Sequence, residues 1–404
     1  MNFFQEKQNK AGSETSYGMN PTPEKIALVI PYMRQGGGAE KICAWLSNEL
    51  AQHNTDVHLI TFVERENEHK VSGTRHVLDT RYRGGIVGLV KNAWKIRRLC
   101  REHSIQKVLS FTEEANAACL LAKMLGGIPT LFLAVRNNPE FRGFLGRTFI
   151  KTFYRYANAV VANSSELAHI LTDTFHLPHV VVIQNPIDVE FCIQRSMEPL
   201  PERITQAIKG KSVFVNIGRL INQKGQRHLI NAFARVVKQV PESILLILGQ
   251  GIHEEVLRQL VHQKNLEQHV LFLGRVENVY PYIRAARAFV LTSLFEGFPN
   301  VLLEALAMST LVISTDCPTG PREILGAPLG ERLSYPYFAT HGILTQPFGG
   351  SHHKVVKAEQ NLSDLLIQAP QKQFWKERYE HGQTRVATLR PHEIFLKWEK
   401  LLGA

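Results

Sequence analysis

No stretch of about 18 apolar residues occurs in this 404-residue chain, so no membrane-spanning helix is expected. Cysteine is sparse. Cys43, Cys100, Cys119, Cys192 and Cys317 are scattered, odd in number and never form a Cys-x-x-Cys pair. That speaks against a disulfide framework or a zinc site and for a reducing compartment. Residues 1–24 are polar and lack the apolar stretch of a signal peptide, so a disordered tail is expected there. Acid is also in short supply: 36 Asp and Glu face 47 Lys and Arg, giving a net charge of +11. Nucleic acid, an anionic membrane and phosphorylated small molecules all suit a basic surface. No helix-turn-helix, zinc-finger or RNP pattern accompanies the charge, so nucleic acid is not an expected partner.

What is present is a soluble, globular composition, 44% hydrophobic and 21% charged, in a chain long enough for two or three domains. Apolar runs that read as buried strands alternate with helical patterns. They are 25–30, 57–62, 108–111, 130–135, 159–162 and 180–183, then 212–217, 243–248, 269–273, 288–291 and 311–314. Such alternation predicts parallel sheets covered on both faces. Residues 193–210, polar and with two prolines, read as a linker. The expected organisation is a tail (1–24), two doubly wound α/β domains (25–195 and 205–375) and closing helices (376–404) packing back toward the first.

One stretch organises the rest. The strand ending at Leu291 runs into a loop carrying Glu296, Gly297, Phe298 and Pro299, and Asn300 opens a helix that carries Glu304. Ligands of open α/β sheets bind outside the carboxyl ends of strands, against helix N-termini that favour anions. Two carboxylates there can reach two hydroxyl-bearing parts of one phosphorylated ligand. A solvated loop Glu followed by an ordinary helix Glu is the bland alternative. Further strand ends carry Gly36-Gly37-Gly38, Gly218-Arg219 with Lys224-Gly225, Gly249-Gln250-Gly251 and Gly274-Arg275-Val276. Arg219 and Lys224 are either an exposed basic pair or two cations for a diphosphate.

In this order and at these intervals the motifs resemble the large retaining family of glycosyltransferases usually numbered four, over roughly residues 25–345. The resemblance implies a GT-B fold, in which two Rossmann-like domains face a cleft, and transfer of a sugar from a nucleoside diphosphate. It implies that Glu304 bonds the donor ribose and Glu296 the transferred sugar, with Arg219 and Lys224 on the diphosphate. Gly297, Phe298, Pro299 and Asn300 would present backbone donors, and Gly251, Arg275 and Val276 would line the nucleotide. The acceptor is expected against Gly36, Gly37 and Gly38, and Arg136 with Asn137. Glu323 either supports the cleft or lies on a surface loop.

The chain has no Asp-x-Asp, Asp188-Val-Glu190 coming nearest, so transfer without a metal or other cofactor is expected. Retention of configuration and a UDP-sugar donor follow from the resemblance alone. Many relatives carry a His at the end of a middle strand of the first domain. Here the place reads Ser110-Phe111-Thr112-Glu113-Glu114, with Glu113 or Asn116 as candidates for the space. A sugar-nucleotide epimerase or hydrolase of the same fold, and a non-catalytic sugar-nucleotide binder, are the competing readings.

Residues 314–325 and Ser110-Phe111 resemble enzymes of bacterial surface polysaccharide assembly, which implies a lipid-linked glycan acceptor at the inner face of the cytoplasmic membrane. Lys91–Arg101 and Phe141–Tyr156 mix basic residues with aromatics, as an interfacial helix on an anionic membrane would. A solvated basic face over a core stripe is the alternative.

Overall fold

The computed structural model describes residues 24–66, 68–79, 85–369 and 382–403. Apart from Glu24, the expected tail lies outside the described residues. The first half builds a sheet from β1 (Lys25–Ile30), β2 (Asp56–Thr61), β3 (Thr74–Val77), β4 (Lys107–Phe111), β5 (Thr130–Val135), β6 (Ala159–Ala162) and β7 (Val180–Val182). Its order is β3-β2-β1-β4-β5-β6-β7, parallel throughout. The second half repeats the plan with β8 (Ser212–Ile217), β9 (Ser243–Leu248), β10 (Val270–Gly274), β11 (Ala288–Leu291), β12 (Leu311–Thr315), β13 (Tyr337–Phe338) and β14 (Ile343–Thr345). Here the order is β10-β9-β8-β11-β12-β14-β13, with β13 antiparallel to β14. Each sheet reverses its strand order once, between β1 and β4 and between β8 and β11. Those are the two places where a doubly wound sheet opens a crevice.

Burial explains why the strands form where the apolar runs predict them. Ile26, Leu28 and Ile30 enter one apolar cluster and Ala27 and Val29 the other, so β1 is covered on both faces. Fully burying a side chain of this size contributes roughly 1.5–3 kcal/mol. The first of these clusters continues through Leu246, Leu302 and Leu306 of the second half to Phe395 and Trp398 near the chain end. The helix Pro391–Leu402 lies against the first domain: Lys107 Nζ donates to the Leu402 carbonyl, and the His53 ring stacks on Phe395 at 4.3 Å. Just before that helix, the Ile187 amide donates to the Leu389 carbonyl at 2.9 Å.

Three strands escaped the pattern. β3 reads Thr-Arg-His-Val and lies mostly exposed at the sheet edge, while β13 and β14 hold only two and three residues. The stretch read as a linker carries helical structure: helix Val189–Ser196 extends into it and helix Glu202–Ile208 lies within it. Asp188 caps the former, its Oδ1 accepting the Phe191 amide at 2.9 Å, which absorbs the nearest approach to an Asp-x-Asp into local structure.

Candidate active site

The cleft is lined by the carboxyl ends of both sheets. β11 ends at Leu291, and the loop beyond it turns Glu296 inward until the residue is only 6% exposed. Its Oε1 accepts from Lys224 Nζ and from Ser293 Oγ, each at 2.5 Å. The loop is pinned by its backbone: the Glu296 amide donates to Pro318 O at 2.7 Å, and Thr319 Oγ1 donates to Glu296 O at 2.9 Å. Lys224 reaches Glu296 because Gly225 takes the left-handed conformation (φ 62°). A Cβ there would stand 2.0 Å from the Thr292 carbonyl oxygen, so only glycine lets this turn lie against the end of β11. Glu304, on helix Asn300–Ala307, is equally buried and accepts from Lys41 Nζ at 2.6 Å. Burial lowers the Lys41 pKa, but the charge and hydrogen bond of Glu304 outweigh it and hold the ammonium above its ordinary value.

The nucleotide-side loops are tied to one another. The Leu220 amide donates to Gln250 O at 2.9 Å and the Gly249 amide to Gly274 O at 2.8 Å. Arg219, Gly251 and Arg275 are exposed there and Val276 is half-buried. Arg275 Nη2 crosses the cleft to Gln35 Oε1 at 2.8 Å. Gly36 and Gly38 are exposed ahead of helix Gly38–Gln52, and a Cβ on Gly38 would lie 3.9 Å from Asn300 Nδ2. The glycine loop therefore faces the 297–300 stretch.

The domains meet tightly at Gly297. A Cβ there would stand 1.8 Å from the Arg136 carbonyl oxygen, so any other residue would separate the two halves. Asn185 clamps the same place, with Nδ2 donating to Phe298 O at 3.2 Å and to Asn300 Oδ1 at 2.6 Å. Phe298 and Pro299 are buried behind it. Arg136 follows β5, with Nη1 donating to Asn185 Oδ1 at 3.0 Å and the guanidinium over the rings of Phe111 (5.2 Å) and Trp398 (5.9 Å). Burial pulls its pKa down to about 10. Asn137 beside it is half-buried.

Where the first-domain His was sought, the structure puts Thr112, at φ 79°. Neither candidate for the space is free for it. Asn116 is fully buried, accepting from Ser110 Oγ at 2.6 Å and donating to Ala134 O and Tyr154 Oη at 3.2 Å. Glu113 pairs with Arg142. Glu323 belongs to the interdomain contact: it accepts the Ser165 amide at 2.6 Å and also the Gln184 amide side chain. Sequence reasoning assigned no site role to Lys41, Ser293 or Asn185. Lys41 left one trace, a cation close to a helix N-terminus, where the dipole disfavours it.

Two facing doubly wound domains, with paired cation and carboxylate sites between them, define a GT-B architecture. The family model described as "Glycosyl transferases group 1" matches residues 201–328, and that described as "Glycosyltransferase Family 4" matches residues 36–191. An uncharacterized glycosyltransferase of Methanocaldococcus jannaschii is 32% identical over 337 residues, covering 78% of this chain and 83% of its own length. A Campylobacter jejuni transferase is 30% identical over 317 residues, 75% of this chain and 84% of that protein. Its name is N-acetylgalactosamine-N,N'-diacetylbacillosaminyl-diphospho-undecaprenol 4-alpha-N-acetylgalactosaminyltransferase. The chain belongs to this glycosyltransferase family and is an enzyme related to bacterial surface-polysaccharide transferases. Anabaena HepE in complex with UDP-glucose shares the fold, with a TM-score of 0.74 at 18% identity over 94% of this chain and 99% of that one.

Proposed function

We propose that this glycosyltransferase moves a hexose or N-acetylhexosamine, with retention of configuration, from a nucleoside-diphosphate sugar to a lipid-linked glycan in surface polysaccharide assembly. The observation that carries the reading is the Glu296 carboxylate, fixed between Lys224 and Ser293 at the mouth of the second sheet. A leaving diphosphate gains charge in the transition state, and cations fixed beforehand stabilise it without reorganising. Lys224 and Arg219 take that role, so no metal is required in this reading. Glu296 orients the transferred sugar and Glu304 the donor ribose, with the Gly297–Asn300 stretch on sugar and phosphate and Gly251, Arg275 and Val276 along the nucleotide. UDP is the expected nucleotide, as in the HepE complex. The acceptor lies across the cleft, against Gly36–Gly38, Arg136 and Asn137. The Campylobacter relative's name includes a diphospho-undecaprenol, which supports a lipid-linked acceptor.

Peripheral attachment to the inner face of the cytoplasmic membrane belongs to the same reading. Its support is exposed apolar surface: Ile86, Val87, Val90 and Trp94 on helix Ile86–Glu102, and Phe144 and Leu145 on helix Phe144–Phe153. The basic aromatic stretches themselves are less available than their composition suggests. Phe149 and Phe153 pack on the core, Phe141 stacks on Phe295 across the cleft at 4.3 Å, and Lys95 donates to the Leu78 carbonyl. Among the described residues no helix is long and apolar enough to cross a membrane. Sedimentation with anionic liposomes that is unchanged when Trp94, Phe144 and Leu145 become Ser would remove this part.

The test of the transfer is release of nucleoside diphosphate from a panel of sugar nucleotides, with and without membrane lipid extract and EDTA. Release that needs one donor and the extract, survives EDTA and disappears in Glu296→Ala is expected. Equal release without extract would make the protein a hydrolase or epimerase, and donor binding without turnover would make it a binder.

A further inference from the structure

Two helices, one from each domain, begin side by side at the cleft. Helix Gly38–Gln52 follows the first-domain glycine loop and helix Asn300–Ala307 follows the Glu296 loop, and a Cβ on Gly38 would lie 3.9 Å from Asn300 Nδ2. About one turn further into each helix, Lys41 Nζ donates to Glu304 Oε1 at 2.6 Å. The pair joins the domains on the nucleotide side of the cleft. Arg275 crosses to Gln35 on that side, and one half-buried side chain, His69, feels both cations: burial, then the charges of Lys41 and Arg275, lower its pKa.

Local preference explains neither partner. Lys41 stands at the end of the first turn of its helix, where the dipole disfavours a cation. Glu304 shares its short helix with Leu302, Leu303, Ala305, Leu306 and Ala307, all buried, and is itself buried. Packing alone does not call for charges here, since an apolar pair of similar volume is often as stable as a buried ion pair or more so. Among the described residues no other cation pairs with Glu304. A carboxylate accepts from two neighbouring hydroxyls only when its plane is held, and a site is precise when a supporting hydrogen bond locks the group that touches the ligand. Lys41 takes one acceptor position of Oε1 and leaves the others for a ligand.

We propose that Lys41 is a positioning residue of the donor site, holding the Glu304 carboxylate in the orientation that accepts the ribose hydroxyls, so that both domains take part in reading the ribose. This rests on the reading that Glu304 takes the donor ribose, and the experiment separates the two. Binding of UDP, GDP, ADP and CDP to the intact protein is measured by calorimetry, and the tightest is compared with its 2′-deoxy counterpart. The readout is the ratio of the two affinities. Loss of a positive charge near a diphosphate weakens both forms alike and cancels in that ratio, as does any general loosening of the site.

Wild type is expected to prefer the ribo form roughly tenfold, the worth of one hydrogen bond to a charged group. Glu304→Gln should abolish the preference, and Lys41→Met should reduce it to about threefold or less. If Met fails to fold, Lys41→Gln carries the test: it keeps a hydrogen-bond donor without the charge, and a smaller fall in the same ratio is expected. A preference that Glu304→Gln abolishes but the lysine variants leave intact overturns the proposal and leaves the ribose reading standing. A preference that survives Glu304→Gln, or is absent from wild type, removes the ribose reading and the proposal with it. Failure of all four nucleotides to bind saturably does the same. Because binding is read without turnover, an inactive transfer assay leaves this result legible.

Discussion

The two sides of the cleft are finished to different degrees. On the second domain Glu296, Lys224 and Ser293 already satisfy one another, and the loop beneath them is held by backbone hydrogen bonds. On the first domain the corresponding strand ends leave Arg136, Thr112 and Asn163 with buried, unpartnered atoms. The second domain has counterexamples in Asn216 Oδ1, inside β8, and Ser243 Oγ, at the start of β9. A site that is internally paired has its geometry set before the ligand arrives. The second-domain side of the cleft is therefore preorganised, while the first-domain side keeps buried polar atoms unpaired among the described residues.

That contrast can be broken in measurable steps. The largest effect is expected from Glu296→Ala, which should cut kcat/KM for nucleoside diphosphate release by about 100-fold or more, in the range typical of a lost transition-state contact. Retained activity would mean that the paired site is structural. Next is Lys224→Met, which leaves Glu296 buried without its cation. Urea unfolding should show a loss of about 3 kcal/mol, the usual cost of breaking a buried pair, together with slow turnover. The matching change on the other side, Arg136→Met, should cost clearly less, since the charge it removes has no carboxylate partner among the described residues and only Asn185 Oδ1 loses its donor; a comparable loss would erase the contrast.

Gly297→Ala sharpens the comparison at the seam. Its added methyl meets Arg136 O, so the domains must part. Donor affinity should hold within about twofold while kcat falls roughly tenfold, as expected when reacting groups are held apart by about an ångström. A fall in donor affinity with kcat intact would show that the seam serves binding instead. Lys41→Met should do less. It too leaves a buried carboxylate, Glu304, without its cation, but solvent reaches the lysine side of the pair, so a loss of about 1–2 kcal/mol is expected in thermal melts, and a loss as large as that of Lys224→Met would contradict it.

The smallest expected effect is one of pH and belongs to the first domain. His58 and His76 lie 3.0 Å apart between ring nitrogens, beside Asp56 and Lys25 and with the His103 ring tilted against both. Burial, then the neighbouring positive charges, push both pKa values below the ordinary histidine range, with Asp56 opposing the shift at His58. The fold therefore favours their neutral forms. Their contribution is complete above the unfolded pKa near 6.5 and is lost as pH falls through the lower folded values. A melting temperature that drops from pH 7 toward pH 5, and drops less in His76→Gln, is the expected result; an identical drop in the variant would place the acid sensitivity elsewhere.

Much of this was legible in the chain because buried parallel strands are written as local apolar runs. β1, β5, β6, β8, β9 and β11 have the boundaries that periodicity predicts. β3 was not legible, since an edge strand needs few apolar residues, and neither were β13 and β14, too short to show a period. The helices at 189–208 hid behind polar residues and prolines because their few buried positions, such as Cys192 and Ile204, are fixed by neighbours distant in sequence.

By itself the sequence determined the two doubly wound halves, the order of their strand-end motifs and the family, because each depends on patterns within a few residues of one another. Only the tertiary structure decided that Glu296 is matched with Lys224 and Glu304 with Lys41, 72 and 263 residues away. It also decided that Arg136 meets an amide, Asn185, and no carboxylate among the described residues. Pairing and its absence are properties of what folding brings within about 3 Å, and no spacing along the chain encodes that distance.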